Sequence, residues 1–147
     1  MNRNFVEMLS ALSDAGADYL IVGAYALAAH DRPRATGDLD IWVRASRDNA
    51  ERVRRAIGEF GMPVENISIE DLAAPGLVLQ FGYPPQRIDV MTSISGVTFD
   101  EAWPRRIAVE IEGKQHAVIG KEELIRNKRT VGRAKDLLDV DALERKG

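Results

Sequence analysis

The segment Gly37-Asp38-Leu39-Asp40-Ile41-Trp42-Val43 sets two carboxylates two residues apart among apolar neighbours. Side chains of a β-strand alternate between faces, so Leu39, Ile41 and Val43 turn to a core while Asp38 and Asp40 share the opposite face, about 6–7 Å apart. Carboxylates held that close repel each other. A divalent cation removes the repulsion, and magnesium prefers oxygen ligands of this kind. Alone, an Asp-x-Asp is more often polar surface than a metal site. Arg87-Ile88-Asp89-Val90-Met91 repeats the pattern with one carboxylate. Asp89 joins the pair if its strand adjoins theirs; taken by itself, an ion pair with Arg87 is the simpler explanation. Three carboxylates on neighbouring strands can hold two ions roughly 3.5–4 Å apart, one activating an attacking hydroxyl and the other steadying a phosphate chain as its leaving group departs.

Two further segments could meet phosphate. At Val22-Gly23-Ala24-Tyr25-Ala26 a buried strand turns into a helix. Glycine lets backbone approach a ligand closely, and a helix N-terminus offers free N–H groups. The segment matches neither a Walker motif nor GxGxxG, and helix–strand packing accounts for a single glycine. Arg126, Lys128, Arg129, Arg133 and Lys135 follow one another with no acid among residues 126–135. Arg126, Arg129 and Arg133 share a face if one helix continues through Gly132; the plain alternative is a solvated basic surface. Trp42 belongs on the aspartate face, either stacking on a base or packed under the C-terminal helices. Trp103 and Phe5 read as core, and His30 and His116 are not spaced as a metal pair.

The elements that must position these residues follow from periodicity. Phe5, Met8, Leu9 and Leu12 recur at helical spacing, which predicts an amphipathic helix over about 3–15, ended by Gly16. Tyr19-Leu20-Ile21-Val22 reads as a buried strand and Ala24 to His30 as a helix, broken by Pro33. Leu39 to Val43 reads as a strand, and Ala50, Val53, Ile57 and Phe60 mark a third helix closed by Gly61. Leu77 to Phe81 and Arg87 to Met91 predict a hairpin through Gly82-Tyr83-Pro84-Pro85. Ile107 to Ile111 and Gln115 to Ile119 predict a second, around Glu112-Gly113-Lys114. Two helices, about 121–130 and 133–145, complete the pattern. Hairpins after an α/β start imply an α/β (α+β) class, a mixed and mostly antiparallel sheet with helices packed against it.

With 147 residues and 45% apolar content, the chain is expected to be a single domain over 1–147. Its net charge of −3 does not advertise nucleic acid, so any such contact must come from a local patch. The absence of cysteine removes disulfides, zinc–thiolate sites and thiol nucleophiles, and fits a reducing cytoplasm. No apolar run approaches the roughly 20 residues that span a bilayer. The N-terminus lacks a signal peptide's apolar run, and no membrane partner is expected.

The order of these segments carries more than any one of them. Strand–Gly23–helix, then Arg34-Ala35-Thr36-Gly37-Asp38-Leu39-Asp40, then Tyr83-Pro84-Pro85-Gln86-Arg87-Ile88-Asp89, then Ile125-Arg126-Asn127-Lys128-Arg129 through Asp139 resembles the DNA polymerase β-type nucleotidyltransferase superfamily. The nearest likeness is to the minimal bacterial enzymes related to AbiEii toxins, and it covers nearly the whole chain. It implies the nucleotidyltransferase fold, with Asp38, Asp40 and Asp89 as catalytic residues holding two magnesium ions (or manganese in their place). Asp89 would also serve as the base. Gly23, Ala24, Arg34, Thr36, Lys128 and Asp136 would meet the nucleotide, and Arg126, Arg129 and Arg133 the acceptor. Asp139 fits the pattern or closes a salt bridge. The implied reaction moves a nucleoside monophosphate from an NTP to a hydroxyl of an RNA such as tRNA, a protein or a small molecule. The implied role is the toxin of a toxin–antitoxin pair, with an antitoxin protein as partner. The superfamily usually has Gly-Ser or Gly-Gly where this chain has Gly23-Ala24, so a hydroxyl donor is missing and weaker triphosphate binding is expected. Two other readings stand beside this one. The first is a non-catalytic nucleotide- or partner-binding module on the same fold. The second is a metal-dependent phosphohydrolase, against which no histidine cluster is visible.

Overall fold

The computed structural model describes residues 1–31 and 37–145; Arg34 and Thr36, assigned to the nucleotide above, lie outside the described residues. The chain opens on α1 (Arg3–Asp14), whose Phe5, Met8, Leu9 and Leu12 form the expected buried stripe and whose first turn is capped by the Asn2 side chain. Strand β1 (Tyr19–Val22) is buried at every position and passes directly into α2 (Gly23–Ala29). Next come β2 (Leu39–Val43) and α3 (Arg47–Phe60), the latter capped by the Ser46 hydroxyl and ended by left-handed Gly61. A short helix α4 (Ile69–Leu72) leads to the hairpin β3 (Val78–Phe81) and β4 (Ile88–Met91). Helix α5 (Phe99–Ala102) runs into a 3₁₀ turn at Trp103–Arg105. A second hairpin, β5 (Ile107–Ile111) and β6 (Lys114–Val118), precedes α6 (Lys121–Val131) and α7 (Ala134–Glu144).

Among the described residues the strands form one six-stranded sheet in the order β3-β4-β2-β1-β6-β5. The local pairs β1–β2, β3–β4 and β5–β6 are antiparallel, as short connections require. The long-range pairs β2–β4 and β1–β6 are parallel. The sheet is therefore mixed and mostly antiparallel. Its register matters for everything that follows. Val22, Asp40 and Asp89 stand in one row across β1, β2 and β4, and Leu20, Trp42 and Met91 in the next. On the opposite face Leu39, Ile41, Ile88 and Val90 are buried in the core that also takes in α1 and α3. Burial of each such side chain stabilises by roughly 1.5–3 kcal/mol, and a one-residue slip would turn the aspartates into that core.

The structure departs from the sequence reading at several points. Helices α4 and α5 and the 3₁₀ turn are too short to show a period; only their caps announced them, Ser68 for α4 and a Thr98–Glu101 capping box for α5. Trp42 does lie on the aspartate face, but buried as it is it offers no face to a base, and it belongs to the core cluster that also takes in Leu124 of the first C-terminal helix. It is 1% exposed and meets Phe99 of α5 edge-on at 5.0 Å. Trp103 is only half-buried, held between the Phe99 ring and the Arg106 guanidinium rather than filling the core. Finally, α6 does not continue through Gly132. That residue adopts φ 72° as the C-cap, and Arg133 becomes the N-cap of α7. Arg126, Arg129 and Arg133 thus share no continuous helical face. No helix among the described residues is long and apolar enough to cross a membrane.

Candidate active site

The site grows from the β2–β4 pairing. Leu39 donates its N–H to the Arg87 carbonyl at 2.9 Å, and Arg87 donates its own N–H to Asp38 Oδ1 at 2.9 Å. Asp38 thereby adds a side-chain rung to the ladder just before β2 begins. Two residues on, Asp40 is set directly beside Asp89 by the parallel register. The three carboxylates that the sequence proposed are brought together on one face.

Two of them are gripped by Arg87. Its Nε donates to Asp89 Oδ1 at 2.7 Å and its Nη2 to Asp89 Oδ2 at 3.1 Å, a two-pronged charge-assisted contact. The same Nη2 lies 3.3 Å from Asp38 Oδ2. The ion pair considered for Asp89 from the sequence is therefore present, together with the clustering. Asp40 is left outside this fork. Burial, then the hydrogen bond and charge of Asp89, then the charge of Asp38 push its carboxyl up to about 7, with Arg87 pulling the other way. A proton held between crowded carboxylates relieves the repulsion that a cation would otherwise relieve.

Gly23 explains itself against Asp40. Its φ is +69°, and a Cβ there would stand 2.4 Å from Asp40 Oδ2. The position needs glycine for conformation and for space at once. Ala24 follows in the first turn of α2, where it brings no hydroxyl.

Beside Asp40 opens a cleft of about 230 Å³ whose lining includes Gly23, Lys128, Arg133 and Asp136, with Met91, Ser93 and Asn127. Lys128 is buried, its Nζ 2.9 Å from Asp139 and 3.6 Å from Asp136. Arg133 Nε donates to Asp136 at 2.6 Å, and this contact, more than the nearby Lys128, holds the Asp136 carboxyl below its ordinary range. The basic segment divides here. Lys128 and Arg133 face the cleft, whereas Arg126 pairs with Glu101 at 3.0 Å and Arg129 with Glu144, and neither lines it. Sequence reasoning gave no role to Arg87 beyond an ion pair, and none to Met91, Ser93 or Asn127. The signal available for Arg87 was its spacing, two residues before Asp89 on the same strand face.

As the side chains stand, no three acidic or histidine groups among the described residues surround a common point as ligands. The donor set nevertheless suits a hard divalent ion: its atoms are all oxygen, and three carboxylates cluster around the charge of one guanidinium.

No protein-family model matches the sequence, and no curated protein matches it. The chain is similar in structure to a crystal structure from Thermotoga maritima, of a protein provisionally named a nucleotidyltransferase. The TM-score is 0.63 over 99% of this chain and 92% of that chain, at 14% identity. At that identity the likeness speaks for the fold, which is a nucleotidyltransferase fold.

Proposed function

We propose that the protein is a metal-dependent nucleotidyltransferase that moves a nucleoside monophosphate from an NTP to a hydroxyl acceptor. The observation that carries this reading is the cluster of Asp38, Asp40 and Asp89 beside a cleft walled by Gly23, Lys128 and Arg133. Asp38, Asp40 and Asp89 would hold two magnesium ions, or manganese, which when bound neutralise the phosphate chain and lower the pKa of the acceptor hydroxyl. Asp89 takes the acceptor proton. The acceptor oxygen bonds to the α-phosphorus as the bond to pyrophosphate breaks, and pyrophosphate leaves with the electron pair. Gly23 allows backbone and phosphate to approach closely, and Ala24 contributes only its N–H. Lys128 offers a compact positive charge and Arg133 a planar fork to the phosphates, with Asp136 positioning both. Arg34 and Thr36 belong to the nucleotide side of this reading, and Arg126 and Arg129, on α6 outside the cleft, to the acceptor side.

The acceptor in this reading is an RNA such as tRNA, or a protein. The toxin role, the antitoxin partner and a cytoplasmic setting are what the resemblance to AbiEii-related enzymes adds to it. The test is incubation with each labelled NTP, magnesium and total cellular RNA or protein. Wild type is expected to label one acceptor class, and Asp40→Asn none. Nucleotide binding without labelled product in any combination would replace the enzyme with a non-catalytic module.

A further inference from the structure

We propose that Arg87 is a built-in counter-ion that occupies the carboxylate group in the absence of metal and must leave it before the ions can bind, so that it sets the magnesium concentration at which the site fills. The inference rests on the metal-dependent reading above.

The hydrogen-bond pattern carries it. Both oxygens of Asp89 and both of Asp38 are engaged by groups of Arg87: three contacts from the guanidinium and one from the backbone N–H. Asp40, the carboxylate without an Arg87 contact, is the one that lines the cleft. A divalent ion shared by Asp38 and Asp89 would stand against a guanidinium at contact distance, and like charges that close repel strongly in a partly buried setting. The ion and the guanidinium are therefore alternatives. Arg87 is placed to leave. It precedes β4 rather than sitting within it, and its side chain is 26% exposed, so it can turn toward solvent without breaking a strand bond. Guanidinium is weakly hydrated and binds carboxylate in a planar fork, which lysine cannot reproduce. Lys128, held by Asp136 and Asp139, is not available as a substitute.

The experiment compares wild type, Arg87→Met, Arg87→Lys and Asp40→Asn by thermal melting and calorimetric titration with magnesium, without nucleotide. In metal-free buffer Arg87→Met should melt lower, because Asp38 and Asp89 lose their counter-charge. Its magnesium midpoint should fall to a roughly tenfold lower concentration than that of wild type, since no charge-assisted pair has to be broken first. Arg87→Lys, which keeps the charge and loses the fork, should fall between them; it also guards against a folding defect in the methionine variant. A residue with a merely structural role would lower the melting temperature and leave the midpoint where it was. An unchanged or higher midpoint in both variants overturns the inference alone, provided wild type binds and Asp40→Asn does not. Wild type and Asp40→Asn responding alike to magnesium would overturn the metal-site reading, and the inference with it.

Discussion

Asp40 is where the residue-level physics concentrates. Folded and metal-free, its carboxyl keeps a proton up to about pH 7, because it is buried beside Asp89 and Asp38; the ordinary value is 3.8. Between those values the native state binds more protons than the unfolded chain, so stability falls as pH rises from about 4 through 7. Asp40→Asn removes this slope. In chelator-containing buffer the variant should be more stable than wild type by up to about 4 kcal/mol at pH 8, with little difference near pH 4. Urea unfolding at the two pH values checks this, and parallel slopes for the two proteins would refute it. The same carboxylate dictates its neighbour. Gly23 cannot carry a Cβ because Asp40 Oδ2 lies where that atom would go.

At the scale of elements, the turn between α6 and α7 decides which basic residues reach the cleft. Gly132 ends α6 in the left-handed region, and the redirected chain caps α7 with Arg133 and Asp136. Gly132→Ala meets no severe clash, the nearest atom being the Arg129 carbonyl oxygen at 3.4 Å, so its cost is conformational. It should destabilise by about 1–2 kcal/mol. Gly113→Ala, at φ 84° in the β5–β6 turn with open space around it, should cost a similar amount. Only the first should also weaken nucleotide binding, since only Gly132 orients Arg133 and Asp136. Paired urea unfolding and NTP titration separate the two effects; equal nucleotide affinity in both variants would show that the α6–α7 turn does not position the cleft.

For the molecule as a whole, charge is distributed rather than absent. The chain is net −3, yet Lys128 and Arg133 face the cleft while Arg126 and Arg129 pair outward with Glu101 and Glu144. Exposed pairs of this kind are worth about 0–1 kcal/mol, so the double substitution Arg126→Ala/Arg129→Ala should scarcely alter stability or NTP affinity. If RNA is the acceptor, the double variant should bind it more weakly and with a shallower dependence on salt, because fewer counterions are released. Filter binding across a salt series measures this, and an unaltered slope would move the acceptor away from RNA at this surface.

Much of this was legible in the residues themselves. Alternation at Leu39, Ile41 and Val43 set the parity of Asp38 and Asp40, and helical spacing in Phe5, Met8, Leu9 and Leu12 defined the buried stripe of α1, because periodicity is a local property of the chain. The hairpins were legible for the same reason: their turns are contiguous. Tertiary structure alone decided that β4 lies parallel beside β2, which puts Asp89 next to Asp40. It alone decided that Arg87 reaches Asp38 as well as Asp89, that Phe99 covers Trp42, and that Gly132 separates Arg133 from Arg126 and Arg129. Each of these depends on pairing or packing between segments distant in sequence, or on a single backbone angle, and neither leaves a period to read.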